Sequence, residues 1–287
     1  MLDTTIHALP TLPFAYQIPV DGAVRTCAAA ALHMAYGAAG VVADRAAIWR
    51  RLADSLTPAH AVVASRLTED ALAQGLPSLT LRCSEYPLAA LATVMEAGWT
   101  AIVNHRLACD RPEGHYSVVA ALSHGGVALH DPLRGPYRWL ACEAFEQLWL
   151  DGTHSEISGG VLVACGGGVL PRAARPWIDE LDSRSHIECP RCRQTVPLAD
   201  ELGAGTAAPW SRLWECVFCP TCDAAIRPPH AQRPRIHPAH VQPVQTQSTR
   251  RAGRMSIAGL QPTESAFGGY SPFAHTSLTQ ANCEAWQ

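Results

Sequence analysis

The sequence predicts an α+β fold, because helical and strand-like patterns occupy different parts of the chain. Apolar residues recur at helical spacing over most of residues 27–98, and the alternation typical of strands prevails in the residues that follow. We expect helices at residues 27–38, 43–53, 68–75, 87–98 and 142–150. We expect strands at residues 78–83, 99–103, 116–122, 127–130 and 160–164. Helices followed by an antiparallel sheet are typical of the α+β class.

The composition argues against several classes of protein. A hydrophobic content of 48% in 287 residues is enough for a sizeable core, and a net charge of -3 does not favour nucleic acid or an anionic membrane as a partner. The N-terminal residues lack a basic segment followed by an apolar stretch, so no secretory signal is indicated. The most apolar run, residues 27–43, is shorter than the roughly 20 residues of a membrane span. We therefore expect a cytoplasmic protein that contacts neither a membrane nor nucleic acid.

Composition also divides the chain into four predicted parts. Residues 1–165 contain nearly all of the periodic pattern and form the predicted main domain. Residues 166–185 are rich in Gly, Pro and Arg without sustained periodicity, which predicts a linker. Residues 186–229 carry two cysteine pairs and form a predicted small domain. Residues 230–287 are rich in Pro, Gln, His, Ser and Thr and poor in branched apolar residues, which predicts a disordered tail.

The two cysteine pairs of the small predicted domain indicate a metal site. The segments CPRC at 189–192 and CPTC at 219–222 are each followed by an apolar residue at the same distance. Two such pairs of thiolates complete a tetrahedral four-thiolate zinc site. Cys216 offers a competing pair with Cys219, but only Cys222 reproduces the proline and the trailing apolar residue. We therefore expect one structural zinc ion, held by Cys189, Cys192, Cys219 and Cys222.

The expected role of this zinc site is to hold a small module together. A closed four-thiolate site leaves no open coordination position, so the ion stabilises the fold and does not catalyse. The segment resembles a zinc ribbon, a small module that commonly contacts protein or nucleic acid. Arginines and carboxylates balance along the segment, so charge does not select nucleic acid and we expect a protein partner.

Cys27 lies at the predicted start of the first helix, in the stretch VRTCAAAALHMAYG. Alanines with high helix propensity follow it, and Thr26 before it is a candidate N-terminal cap. A thiol on the first turn of a helix lies over backbone N–H groups that have no intrahelical partner, which lowers its pKa and favours the nucleophilic thiolate. Position alone leaves a packing role for Cys27 open, because buried cysteines are common.

A predicted hairpin, GHYSVVAALSHGGVALHDP, places His115 near Asp131. With a three-residue connection at 123–125 and Gly125 left-handed, Asp131 falls opposite Ser117, on the face that carries His115. A two- or four-residue connection would turn the carboxylate to the other face unless a bulge intervened. We expect the first arrangement, which brings the carboxylate within reach of the imidazole.

At these residues the chain resembles the papain-like cysteine peptidases of family thirty-nine, which include the bacteriocin-processing peptidase domains. The matching stretches follow in the family's order: LPFAYQ at 12–17, TC with its alanine-rich helix at 26–37, GWTAIV at 98–103, His115, DP at 131–132 and FEQLW at 145–149. The resemblance implies a papain-like fold in which Cys27 is the nucleophile, His115 the base and Asp131 the orienting carboxylate. It also implies that Gln17 supplies the side-chain donor to the oxyanion.

The activity implied by the resemblance is that of a thiol hydrolase that cleaves a peptide or isopeptide bond in a peptide or protein substrate. An acyltransferase would use the same residues, because the two reactions differ only in the second acceptor. Two departures from the family leave a catalytically inactive interaction protein as a further alternative. Ala28 follows the nucleophile where the family usually has glycine, and Gln17 stands further from Cys27 than the family's glutamine usually does.

Overall fold

The structure of the chain is a computed structural model, and it describes residues 7–8, 12–53, 61–152, 156–166, 186–199, 202, 204 and 212–227. The tail predicted at 230–287 lies outside the described residues, as does the predicted linker apart from residue 166. The described helices are α1 (Cys27–Ala38), α2 (Arg45–Ala53), α3 (Ala64–Ala73), α4 (Pro87–Glu96) and α5 (Cys142–Trp149). None of these described helices is long and apolar enough to cross a membrane.

The described strands form one large sheet and one small sheet. They are β1 (His7–Ala8), β2 (Ser78–Cys83), β3 (Thr100–Ala108), β4 (Arg111–Ser123), β5 (Gly126–Asp131), β6 (Gly135–Ala141), β7 (Val161–Cys165), β8 (His186–Glu188), β9 (Thr195–Pro197), β10 (Trp214–Phe218) and β11 (Ala225–Ile226). The large antiparallel sheet has the order β11-β10-β2-β7-β3-β4-β5-β6, and β1 pairs with β4. Strands β8 and β9 pair separately. This mixture of helices with an antiparallel sheet confirms the predicted α+β class.

Helices cover both faces of the large sheet, so the sheet separates two apolar cores. The core on one face contains residues of α1, α2 and α3 together with Ile102 and Val118. The core on the other face contains residues of α4 and α5 together with Val103 and Val119. Consecutive residues of β3 and of β4 thus belong to opposite cores, as the side-chain alternation of a strand requires.

Helix α1 is buried on nearly every side, and its alanines explain how it fits. The alanines at 28–31 are at most 2% exposed, and the helix packs against β4. Tyr36, near its other end, is buried and donates its hydroxyl to Asp70 of α3 at 2.6 Å. A Cβ at Gly37 would lie 2.6 Å from the ring of Pro13, so the segment before the helix crosses it closely. The predicted helix at 27–38 is confirmed at both ends.

Several regions differ from the predicted elements. Strand β3 continues to Ala108 and β4 begins at Arg111, and β1 and β8 to β11 had no predicted counterpart. Helix α3 begins at Ala64, before the start predicted at Thr68, and Thr68 lies buried inside the helix, where its hydroxyl is hydrogen-bonded to that of Thr80 at 2.7 Å. Strand β6 was not predicted from the sequence. Tyr137 and Trp139 of this edge strand are exposed, so its sequence lacks the pattern of buried apolar and exposed polar residues by which a strand is recognised.

The cysteine-containing segment continues the large sheet. Strand β10 pairs with β2, so that Val217 lies opposite Leu81. Both side chains belong to the core on the α4 and α5 face, together with Cys189 and Cys219. The segment predicted as a small domain at 186–229 therefore shares a sheet and a core with the preceding residues.

Candidate functional site

Cys27 is the first residue of α1, and its thiol is buried. The first hydrogen bond within the helix joins the N–H of Ala30 to the carbonyl of Thr26, so the preceding N–H groups of the first turn have no intrahelical partner. The prediction that the Thr26 hydroxyl caps the helix is wrong. That hydroxyl donates to the carbonyl of Ile18 at 2.6 Å, and this hydrogen bond fixes the position of the connection that precedes the helix.

His115 on β4 and Asp131 at the end of β5 are in direct contact. Nε2 of His115 lies 2.7 Å from Oδ1 of Asp131, and both side chains are buried. Oδ1 also accepts from the backbone N–H groups of Leu133 at 3.0 Å and Arg134 at 3.2 Å. Oδ2 accepts from Nη1 of Arg138 at 3.0 Å. With Nε2 engaged by the carboxylate, Nδ1 is the ring nitrogen left for Cys27.

The hairpin connection between His115 and Asp131 differs from the predicted one. Ser123 pairs with Gly126, so only two residues form the connection. Gly125 is not left-handed. The prediction of a three-residue connection with a left-handed glycine is therefore wrong. By itself, the shorter connection would carry the carboxylate to the opposite face of the sheet.

A bulge in β4 compensates for the shorter connection. The pairing shifts between Val119 and Ala121, and beyond the shift Val118 lies opposite His130. An extra residue in one strand reverses the face of the partners that follow it. The carboxylate of Asp131 thus returns to the face of the His115 imidazole.

Cys27 and His115 stabilise each other's charged forms. Burial raises the pKa of the Cys27 thiol, and the charge and hydrogen bond of His115 lower it. The backbone N–H of Tyr116 and the charge of Arg25 act in the same direction, so the pKa of the thiol lies below its ordinary value. Burial lowers the pKa of His115, but the Cys27 thiolate and Asp131 raise it to about 9. The arrangement therefore favours a thiolate and an imidazolium at neutral pH.

Gln17 lies outside the contacts that relate Cys27, His115 and Asp131. Its backbone N–H donates to the carbonyl of Pro132 at 2.9 Å, which places it beside the turn that follows Asp131. The residues between Gln17 and Cys27 loop out, with Val20 and Ala23 bridged in a short turn. The side-chain amide of Gln17 donates to the carbonyl of Val24 at 3.3 Å, within that loop.

His105 is a further histidine of the site, and no role was predicted for it from the sequence. It lies directly opposite His115 in the pairing of β3 with β4, and the two ring centroids are 5.4 Å apart at nearly perpendicular planes. Nδ1 of His105 lies 2.6 Å from the carbonyl of Arg106, and Nε2 lies 3.0 Å from the hydroxyl of Ser117. Burial, and then the charge of His115, lower the pKa of His105 to about 3. His105 is therefore uncharged at neutral pH, carries its proton on Nδ1 and packs against the ring of His115.

A small cavity adjoins the thiol of Cys27. Its lining includes Arg25 and Glu156, whose side chains are joined by an ion pair, and Asn104 and Tyr116 from the two strands that carry the histidines. Neither Arg25 nor Glu156 was singled out from the sequence. The signal for the pair is absent from local sequence, because the two residues are 131 positions apart.

The four predicted metal-ligating cysteines lie together: Cys189, Cys192, Cys219 and Cys222. Their Sγ atoms all lie within 4.8 Å of one another, with 3.6 Å between Cys189 and Cys222 and between Cys192 and Cys219. A tetrahedron with metal–sulfur bonds of about 2.3 Å has edges of about 3.8 Å, so the four thiolates fit around one ion. Cys216, the competing candidate, is buried on β10 outside this cluster.

Each cysteine pair is held by the same turn. The N–H of Cys189 donates to the carbonyl of Gln194, the N–H of Arg193 donates to the carbonyl of Cys189, and Cys219 makes the two equivalent bonds in its own turn. The residue after the second cysteine is left-handed in both turns, with φ of 64° at Arg193 and 57° at Asp223. The repeated turn presents both pairs of thiolates to one point.

Comparisons with known proteins found similar solved structures. No family model matches the chain, and no curated protein matches it. Similar solved structures include a C39-like peptidase from Bacillus anthracis, with a TM-score of 0.42 and 15% identity over 56% of this chain and 97% of that chain. They also include the peptidase domain of Streptococcus ComA, a bifunctional ABC transporter, with a TM-score of 0.42 and 16% identity over 54% of this chain and 98% of that chain.

A third similar structure is a double glycine motif protease from an AMS/PCAT transporter, solved in complex with the leader peptide. Its TM-score is 0.38, with 13% identity over 54% of this chain and 94% of that chain. All three solved structures are described as peptidases or proteases, and the first is described as C39-like.

Proposed function

We propose that the chain is a cysteine peptidase that cleaves a peptide or isopeptide bond, with Cys27 as nucleophile, His115 as base and Asp131 as the carboxylate that orients the base. One observation carries the proposal: a buried imidazole bonds a buried carboxylate at 2.7 Å, and the buried thiol at the start of α1 and that imidazole shift each other's pKa toward the charged forms. A nucleophile, a base and an orienting group in this order are the arrangement of acyl-transfer enzymes. The resemblance of the sequence to papain-like peptidases supports the same assignment.

The first step of the proposed reaction is attack of the thiolate on the substrate carbonyl. His115 holds the proton of the thiol, so Cys27 attacks as the more nucleophilic thiolate. A C–S bond forms, and the carbonyl oxygen becomes an oxyanion beside the first turn of α1, where the backbone N–H of Cys27 donates to it. Gln17 would serve as a second donor only after exchanging its present bond to Val24.

The second step releases the amine, and water then regenerates the enzyme. The imidazolium of His115 gives its proton to the leaving nitrogen as the C–N bond breaks, which leaves a thioester on Cys27. The neutral imidazole then takes a proton from water, a C–O bond forms and the C–S bond breaks. Throughout, Asp131 keeps the imidazole in one orientation and stabilises its charged form.

We further propose that the four clustered cysteines hold a zinc ion that stabilises the fold. Four thiolates complete the tetrahedral coordination of zinc, so the site leaves no position for substrate. When bound, the ion supplies a cross-link between the two turns that follow β8 and β10. His115 and Asp131 lie on strands toward the other end of the sheet order, and no step of the reaction involves the metal.

The thiolate–imidazolium proposal predicts unusual alkylation of Cys27. The purified chain is treated with iodoacetamide at pH values from 5 to 9, and labelling of each cysteine is followed by mass spectrometry. We expect Cys27 to be labelled well below pH 8, because its thiolate persists there, and to lose this reactivity in His115→Ala. Cys109, which is exposed, is the internal reference thiol.

Burial and activation lead to opposite orders of labelling in this experiment. If accessibility alone governs the rate, exposed Cys109 reacts before buried Cys27 at every pH. If the proposal holds, Cys27 reacts before Cys109 near pH 6 in the wild type and after it in His115→Ala. Labelling of Cys27 no faster than Cys109 at pH 6 in both forms would falsify the proposed function.

A further inference from the structure

Arg25 and Glu156 form an ion pair across the candidate active site. Arg25 lies just before Cys27 in the chain, and Glu156 lies in the connection between α5 and β7. Nη1 of Arg25 donates to Oε1 of Glu156 at 3.2 Å, and Nη2 donates to Oε2 at 2.5 Å. A bidentate contact of this kind fixes orientation as well as distance, because the guanidinium and the carboxylate are both planar.

The same ion pair holds the residue that precedes His115. Nη2 of Arg25 donates to the carbonyl of Gly114 at 3.3 Å, and the N–H of Gly114 donates to Oε2 of Glu156 at 2.8 Å. A Cβ at Gly114 would lie 2.8 Å from the backbone oxygen of Glu156, so the close approach requires glycine. Both backbone polar groups beside the candidate base are thus engaged by one ion pair.

The ion pair adjoins the thiol, and its carboxylate is largely buried. The side chain of Glu156 is 12% exposed and that of Arg25 is 41% exposed, and both line the cavity that adjoins Cys27. Burial raises the pKa of Glu156, but Arg25 and the N–H of Gly114 hold it below its ordinary value, so the carboxylate stays charged at neutral pH. A largely buried carboxylate that accepts several hydrogen bonds is a firmer constraint than one in a fully exposed pair.

We propose that Arg25, Glu156 and Gly114 form a clamp that sets the position of Cys27 relative to His115. One end of the clamp is joined to the segment that enters α1, and the other end is joined to β4 directly before the base. Arg25 and Glu156 act as positioning residues through these two neighbours. The inference rests on the proposed function, because it assigns the clamp to the thiolate–imidazolium pair.

Positioning and simple electrostatics have opposite effects on the thiol when Glu156 is changed to Gln. If only charge matters, removal of a nearby carboxylate favours the thiolate and lowers the pKa of Cys27. If the clamp positions the pair, its loss separates Cys27 from His115 and raises the pKa of the thiol toward its ordinary value. Arg25→Lys gives an independent test, because it keeps the positive charge and loses the planar fork.

The experiment measures the pH dependence of Cys27 alkylation by iodoacetamide in the full chain. We expect the midpoint to rise by about one pH unit in Glu156→Gln and in Arg25→Lys, which makes alkylation about tenfold slower at pH values well below the wild-type midpoint, because the thiolate fraction falls tenfold there. Glu156→Asp keeps the charge with a shorter reach and is expected to lie between these variants and the wild type. Circular dichroism and the thermal midpoint report whether each variant is folded.

Asp21→Asn is the matched control. Asp21 lies in the same connection before Cys27 and forms an exposed ion pair with Arg50 of α2. Loss of this ion pair should leave the pH midpoint of Cys27 alkylation unchanged. The clamp is overturned if the midpoint stays at the wild-type value in folded Arg25→Lys and Glu156→Gln. It is also overturned if the midpoint falls in Glu156→Gln. Either result leaves the proposed function standing. If Glu156→Gln does not fold, Arg25→Lys decides, since its side chain is partly exposed. A wild type that titrates like an ordinary thiol overturns the proposed function and the clamp together.

Discussion

Asp131 is the most heavily bonded side chain of the candidate site. Burial raises its pKa, but the hydrogen bond and charge of His115 and the N–H of Leu133 hold that pKa far below its usual range. Arg138 adds a fourth donor from β6. A carboxylate with four donors remains ionised, so its effect on the imidazole is to fix one orientation and to stabilise the proton on the ring.

Replacement of Asp131 by Asn should therefore lower the pKa of His115. The carboxylate is one of the groups that raise this pKa to about 9, and an amide keeps a hydrogen-bond partner without the charge. The titration of the His115 ring is followed by NMR of the chain labelled with ¹⁵N-histidine, with the signal assigned by its loss in His115→Gln. We expect the pKa of His115 to fall by at least about one unit. One pKa unit corresponds to roughly 1.4 kcal/mol of lost charge stabilisation.

Asp70→Asn is the control for the effect of losing any buried carboxylate. Asp70 is buried and bonded to Arg51 and Tyr36, so its replacement makes the same chemical change in a comparable environment. It should reduce the thermal midpoint and leave the His115 titration near 9. Equal shifts of the His115 titration in both variants would show that a general loss of packing, and not the contact with Asp131, determines the pKa of His115.

The hairpin of β4 and β5 is the element that brings base and carboxylate together. It combines a two-residue connection with a bulge near Ala120, and each of these alone would put Asp131 on the wrong face. The far side of β5 is held by β6, which carries Arg138 to the carboxylate. The geometry of the base therefore depends on the register of three strands.

Two adjacent glycines in this hairpin should respond differently to replacement by alanine. A Cβ at Gly126 would lie 2.2 Å from the backbone oxygen of Leu140, whereas a Cβ at Gly125 would meet nothing nearer than Trp139 at 3.8 Å. We expect Gly126→Ala to lose about 1–3 kcal/mol of unfolding free energy, because β5 and β6 must separate to relieve the overlap. Gly125→Ala should stay within about 0.5 kcal/mol of the wild type.

Denaturant unfolding of the two alanine variants measures this difference. Neither glycine has a positive φ, so the comparison isolates the steric contact from backbone strain. Equal unfolding free energies for Gly126→Ala and Gly125→Ala would mean that β6 is not packed against β5 as described. A loss that exceeds the expected range only in Gly125→Ala would contradict the two-residue connection.

Sequence patterns predicted the elements whose causes are local. The bounds of α1 and β2 follow from alanine propensity, glycine stops and strand alternation, and both were predicted to the residue. The face of Asp131 was predicted with the wrong connection, because a three-residue connection and a bulged two-residue connection lead to the same face. The contact of Arg25 with Glu156 could not be predicted, because nothing near either residue in sequence indicates its partner.

At the scale of the whole molecule, one sheet joins the cysteine cluster to the candidate active site. Strand β10 pairs with β2, and from there the order runs through β7 and β3 to the strands that carry His115 and Asp131. The buried cysteines Cys189 and Cys219 also share a core with α4 and α5. Elements that share a sheet and a core unfold together, so a metal bound at the cluster should stabilise the candidate peptidase fold as well.

This coupling predicts that metal loss destabilises the whole described fold in one transition. We expect about one zinc ion per chain by elemental analysis, and a thermal midpoint that falls by about 10 °C or more after chelation, given that structural zinc contributes several kcal/mol.

Cys222→Ser should lose the ion and melt like the chelated wild type. Cys216→Ser changes a buried thiol of β10 outside the cluster and should retain the ion. Equal zinc content in the two variants would contradict the ligand assignment, and a separate early transition that alone responds to chelation would contradict the coupling through β10 and β2.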